Sequence, residues 1–379
     1  MIRITCKAQC CGCNACVQIC PVHCIFQQID HEGFVYPLVD SARCLQCGLC
    51  DKVCPVLHPT AQRKPLDVKA VRSLEESTRL QSSSGGLFTE LARWVLEQGG
   101  VVFGALFSDQ WMVEHGYAET EKGLEAFRGS KYVQSNINQS FKEVRTFLKQ
   151  GRWVLFSGTS CQVSALHHFL QSESDRLLTV DVVCHGVLSA KVWQTYLNEL
   201  SNNAVSQITQ IQFRNKQKGW KNYSFFCEWD KGRIQEPFKK NLYMKAYLSD
   251  SLLRPSCYQC PCKSFASGSD LTLADYWGVQ ELQPELDDDR GLGLAFVHTE
   301  RMREILQDLP LVKEEVSASL GELQKYNPSI GQSVSAPLCL KRFLFYRLLG
   351  RKVPFVWLVN VLLRKRGIVG FLKSIMGKK

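Results

Sequence analysis

Long apolar runs are missing from this chain. The longest uncharged run of the C-terminal tail, Val353 to Leu363, is 11 residues and contains Pro354. A membrane span needs roughly 18. The opening residues, MIRITCKAQC, lack the apolar core of an export signal, so a reduced, cytoplasmic chain is expected. Acidic residues are missing from Lys341 to Lys379, where 11 Lys and Arg stand unopposed. The other 340 residues carry 35 basic and 36 acidic side chains. The net charge of +10 therefore belongs to one tail, and nothing in it points to a nucleic-acid groove. Low-complexity segments are missing too.

Cysteine is what the chain has in excess. It holds 18, and 11 of them lie in the first 54 residues. A disulfide framework is improbable in a reducing compartment, so the crowding points to metal. The pattern is Cys10-x2-Cys13-x2-Cys16-x3-Cys20-Pro21, repeated as Cys44-x2-Cys47-x2-Cys50-x3-Cys54-Pro55. Every ligand recurs at +34. Structural zinc uses C-x2-C knuckles a dozen or more residues apart. Three cysteines two apart plus Cys-Pro, given twice, specify two 4Fe-4S clusters. The fourth cysteine of each run serves the other cluster. One set is therefore Cys10, Cys13, Cys16 and Cys54, and the other Cys44, Cys47, Cys50 and Cys20. Cys6, Cys11 and Cys24 are left as packing thiols. Between the runs, two short strands flank a turn at His31 to Gly33.

Beyond a polar linker at Pro59 to Val68, helix-period and strand-like segments alternate. The expected fold is an α+β ferredoxin-like N-terminal domain followed by an α/β domain with an added antiparallel region. In such sheets, loops at the carboxyl ends of strands bind ligands. "SSSGG", Ser82 to Gly86, precedes a helix and suits an anion; an N-cap is the plain alternative. "GSKYVQS" offers Lys131 and Tyr132 to a ring or phosphate, or is an exposed loop. "SGTSCQ" places Cys161 at a helix start as a redox thiol, a ligand or a cofactor neighbour. "DVVCHG" carries Cys184 and His185. "RPSCYQCPC" adds Cys257, Cys260 and Cys262. Cys161, Cys184, Cys257 and Cys260 would make four ligands for a third cluster, with zinc or free thiols as competitors.

The strings SSSGG, SKYVQS, SGTSCQ, DVVCHG, FRNKQKGW, LRPSCYQC and SDLTLADYWG occur in the order seen in the coenzyme F420 hydrogenase/dehydrogenase beta-subunit family. The resemblance spans residues 1–300. It implies bound FAD beside iron–sulfur clusters, and a cluster rather than zinc at the Cys184 and Cys257/Cys260 region. Ser83, Ser84, Gly85, Gly86, Lys131, Tyr132, Gln134, Gly158, Thr159 and Gln162 become FAD contacts. Lys131, Cys161, His185 and Asp275 become catalytic candidates. Phe213, Arg214, Lys218, Gly219 and Trp220 look like a family binding loop without a named ligand. The implied segments are a 2x4Fe-4S domain (1–60), an FAD-binding region (61–150), a region with the third cluster (151–310) and a basic tail (311–379). Ser160 stands where family members often have proline. The implied function is an iron–sulfur flavoprotein oxidoreductase between a one-electron donor such as ferredoxin and a small-molecule or deazaflavin substrate. A non-catalytic electron-transfer subunit is the alternative. For the tail, three readings stand: a helix packed on the domain, an amphipathic helix on an anionic membrane surface, or a partner-binding helix.

Overall fold

The computed structural model describes residues 1–337 and 339–363. Its strands are β1 (Ile25–Ile29), β2 (Val35–Val39), β3 (Asp67–Ser73), β4 (Val101–Phe107), β5 (Val113–Ala118), β6 (Val154–Thr159), β7 (Leu177–Val182), β8 (Ile208–Asn215), β9 (Ser224–Trp229), β10 (Gly232–Pro237), β11 (Leu271–Asp275), β12 (Gly293–Val297) and β13 (Leu311–Glu315). The central sheet has the order β13-β3-β12-β11-β7-β6-β4-β5. β11, β7, β6 and β4 run parallel, and the remaining pairings are antiparallel. The parallel strands read as continuous apolar runs because both faces are covered: Val154 to Phe156 and Leu177 to Asp181 are all buried. One sheet thus takes strands from each of the segments 61–150, 151–310 and 311–379.

β10, β9 and β8 form a separate antiparallel sheet, the added antiparallel region expected from sequence. β1 and β2 form an antiparallel hairpin in the first 60 residues, beside the short helices Ala15–Ile19 and Leu49–Lys52. The body is a mixed α/β structure. Helix Leu87–Glu97 buries Leu87, Leu91 and Val95, the spacing of one helical face. Ser189 caps helix Ala190–Leu200, its side chain accepting from Val192 N. Thr159 and Gln162 form a capping box at the start of helix Ser160–Leu170.

The N-terminal segment is bound firmly to the body. Ala15 and Val53 pack in one core with Ile137, Phe141 and Phe156. Ser189 Oγ donates to Glu32 O at 2.6 Å. Glu32 also takes a two-pronged ion pair from Arg342, at 2.9 and 2.6 Å. That arginine lies on helix Cys339–Leu348. The next helix, Phe355–Leu363, buries Phe355, Leu358, Val359 and Leu362 in the core that holds Trp193 and Tyr243. The Glu199 carboxylate accepts from Phe355 N at 2.6 Å. One side of the tail through residue 363 therefore faces protein, while Leu340, Phe343, Val356, Trp357 and Leu363 stay exposed. Residues 364–379, the rest of the expected membrane-surface segment, lie outside the described residues. Among the described residues no helix is long and apolar enough to cross a membrane.

Candidate active site and cluster sites

The repeat folds each cysteine run around a left-handed glycine. Gly12 and Gly48 both have φ +75°, which only glycine adopts without strain. Cys10, Cys13, Cys16 and Cys54 line one small void, the grouping that the crossed-ligand rule requires. Cys20 and Cys50 are buried in an apolar cluster with Ile2, Cys24 and Ile25, with Cys44 partly buried against it. Cys47 is exposed. Backbone amides already point at these sulfurs: Ile2 N reaches Cys50 Sγ at 3.3 Å and Gln46 N reaches Cys44 Sγ at 3.4 Å. Such bonds stabilise electron-rich sulfur. Cys24 Sγ stands 3.5 Å from Cys20 Sγ, so one leftover thiol touches a ligand position rather than filling space elsewhere.

The carboxyl ends of β6, β7 and β11 open on one cavity of about 480 Å³, within the range of cofactor sites. Its wall includes Ser82 to Gly86, Lys131 to Gln134, Gly158 to Gln162, Cys184, His185 and Asp275. The loops singled out in the sequence are therefore one surface. The contacts of the individual side chains are less uniform. Gly85 wedges against β3; a Cβ there would come within 2.1 Å of Val71 O. Ser83 Oγ accepts from Ser130 N at 2.7 Å, and Ser84 Oγ donates to Leu292 O at 2.8 Å. Gly86 is the N-cap of its helix at φ +97°. Gln162 accepts from Thr159 N at 2.9 Å and donates to Ser135 Oγ at 2.8 Å. Gln134 donates to Cys11 O at 3.2 Å. The polar groups of Gln134 and Gln162 thus already build the wall. His185 Nε2 meets Asp250 Oδ1 at 2.5 Å. Asp275 accepts from Arg214 Nη1 at 2.6 Å and Trp220 Nε1 at 3.3 Å.

Lys131 has no carboxylate partner; its Nζ donates to the carbonyls of Arg128 and Gly129, at 3.3 and 3.2 Å. Burial lowers its pKa from 10.5 to about 7. His115, which sequence reading passed over, also lines the cavity. Its Nε2 donates to Ser157 O at 3.0 Å, leaving Nδ1 as an acceptor with no partner. Burial lowers its pKa to about 4, so the ring is neutral.

Cys161, Cys184, Cys257 and Cys260 share one end of this cavity. Burial raises the Cys184 thiol to about 12, and Cys161 and Cys260 add repulsion. The same causes push Cys257 up. A hydrogen bond from Cys262 pulls Cys260 down to about 7. Such a group holds several thiolates only with a compensating cation among them. Among the described residues, at this cavity and in the two cysteine runs alike, no three His, Cys, Asp or Glu side chains converge on a single ion. Cys262 and Cys11 line the cavity as well. Cys11, expected only to pack, shares a core with Cys161 and lines the Cys10 void too. No spacing signal marks it, because Cys161 lies 150 positions away.

Residues 9–57 match the family model described as 4Fe-4S dicluster domain. Residues 151–317 match the model for the C terminus of the coenzyme F420 hydrogenase/dehydrogenase beta subunit. The chain is thus similar, over residues 151–317, to the C terminus of that family's beta subunits. The dicluster match marks it as an iron–sulfur chain. A solved chain of the F420-reducing [NiFe] hydrogenase complex from Methanosarcina barkeri is similar at 18% identity and TM-score 0.49, over 71% of this chain and 90% of that one. No curated protein matches.

Proposed function

We propose that this chain is a flavin-dependent iron–sulfur oxidoreductase, exchanging electrons between a one-electron protein donor such as ferredoxin and a two-electron organic substrate. The observation that carries it is the double position of Cys11, on the wall of the Cys10 void and on the wall of the large cavity. Thiols thus stand in the second cysteine run, around the Cys10 void and on the cavity wall with Cys161. Cys10, Cys13, Cys16 and Cys54 would hold one cluster, Cys20, Cys44, Cys47 and Cys50 a second, and Cys161, Cys184, Cys257 and Cys260 a third. FAD, when bound, supplies the exchange between single electrons and a hydride.

The cavity suits a flavin by its donor set. His115 Nδ1 offers an unpartnered acceptor, and Arg214 offers unpartnered donors. The Ser82 to Gly86 loop lies at the start of helix Leu87–Glu97. Lys131, poised near neutrality, can take or return the proton that accompanies a two-electron step. The family description as a beta subunit favours a second reading, a chain that delivers electrons to a separate catalytic partner. Anaerobic reconstitution followed by iron, sulfide and flavin quantification tests the first. Roughly twelve iron atoms and one extractable FAD per chain are expected. Fully cluster-loaded protein that neither retains nor takes up FAD would end it. Turnover by the isolated chain separates enzyme from subunit.

A further inference from the structure

Arg214 stands at the end of β8, and its side chain is 3% exposed. Its Nη1 donates to Asp275 Oδ2 at 2.6 Å. The guanidinium lies 4.9 Å from the Tyr223 ring centre and 5.2 Å from that of Trp277. Trp277 is stacked on Trp220 at 4.6 Å, and Trp220 bonds the same Asp275. The group is therefore held from three sides. Its Nε and Nη2 nonetheless have no hydrogen-bond partner. Those two nitrogens form one side of the fork, with parallel N–H bonds that match two oxygens of a carboxylate or phosphate. Buried donors without partners are costly, so a core ion pair with Asp275 accounts for one edge only. Arg214 lines the cavity beside Arg128, Lys131 and Lys263, against the single acid Asp275. The field there favours an anion.

We propose that the free edge of Arg214 is the anchor of an oxyanion subsite within the cavity. The oxyanion has two sources, the phosphates of a bound dinucleotide or the acid group of the two-electron substrate. The second source rests on the redox reading above. The first needs only that a nucleotide binds.

The test is calorimetry on the full-length, anaerobically reconstituted protein freed of flavin, with pyrophosphate and benzoate as probes. At least one probe binds the wild type, and Arg214→Lys, which keeps the charge but loses the fork, weakens it about tenfold or more. Asp275→Asn removes the competing carboxylate and strengthens the same probe severalfold; a purely structural arginine predicts the opposite or no change. If Arg214→Lys loses its iron and does not fold, Asp275→Asn decides alone. Loss of pyrophosphate and FAD affinity together, with riboflavin unaffected, identifies the dinucleotide phosphates. Loss of benzoate alone identifies a substrate acid. Neither probe binding the wild type, or unchanged affinity in both variants, overturns the proposal. Failure of the protein to bind FAD would remove the flavin reading and leave these measurements decisive for the subsite.

Discussion

Arg254 is the sharpest place to perturb the path between the dicluster domain and the cavity. It is fully buried and precedes the Cys257 loop. Its Nε donates to Cys10 O at 2.7 Å, its Nη2 to Val35 O at 2.8 Å and its Nη1 to Gln134 Oε1 at 2.9 Å. Nη2 also lies 3.4 Å from Cys10 Sγ. A cluster on that sulfur would thus sit beside a full positive charge in a dry interface. Taking the charge about 6 Å from the cluster centre at an effective dielectric of about 20, their interaction is ~2.8 kcal/mol. At 2.3 kcal/mol per 100 mV this is ~120 mV for one electron. Arg254→Gln removes a charge that favours the reduced cluster, so the potential should fall by about 100 mV. Arg254→Lys keeps the charge and should retain most of the wild-type value. The assay is potentiometric titration of reconstituted protein, read by the paramagnetic resonance of the reduced clusters. One cluster should move and the others stay. Iron-replete Arg254→Gln with every potential within about 20 mV of wild type would refute the reasoning.

Four further outcomes follow from the geometry. Gly12→Ala and Gly48→Ala carry the same backbone strain, about 1 kcal/mol, but only at Gly12 would the new Cβ meet Gln134 Nε2 at 2.4 Å and Arg254 Nη1 at 2.8 Å; urea midpoints should fall much further for Gly12→Ala. Cys257→Ser should lower the iron content by about a third if the third cluster is present, with Cys262→Ser retaining it, as iron and sulfide assays will show. The Lys131 amine has a folded pKa near 7 against 10.5 ordinarily. Between those values the unfolded chain binds the proton that the folded chain gives up, so stability rises with pH there. Lys131→Met should flatten that rise in denaturation midpoints taken at intervals from pH 7 to 10. Arg342→Met leaves Glu32 buried without its partner and should cost about 3 kcal/mol, seen as a lower thermal midpoint.

Much of the fold was legible because its signals are local. The hairpin β1–β2, the strands β4, β6, β7, β8, β9, β11 and β12, and their intervening helices all carry apolar periodicity or caps within ten residues. β3, β5, β10 and β13 escaped notice because all four are mixed in polarity and pair antiparallel with their neighbours. The tail was ambiguous for a similar reason: an apolar helix face looks the same whether it meets lipid or Trp193. The loops of the candidate site were visible as unusual strings. That Gln134 and Gln162 act as wall struts, while His115 and Arg214 line the cavity and carry buried unpartnered nitrogens, was not.

Spacing along the chain was sufficient to mark the two cysteine runs and the apolar strands whose ends carry the loops, since each depends on residues a few positions apart. The tertiary structure alone decided which half of a symmetric repeat faces the body, that Cys11 and Cys161 share a core and a cavity wall, and that Arg254 and Arg214 hold charge where they do. Those contacts join residues from 61 to 244 positions apart, and strand order in the sheet, which periodicity does not encode, brings them together.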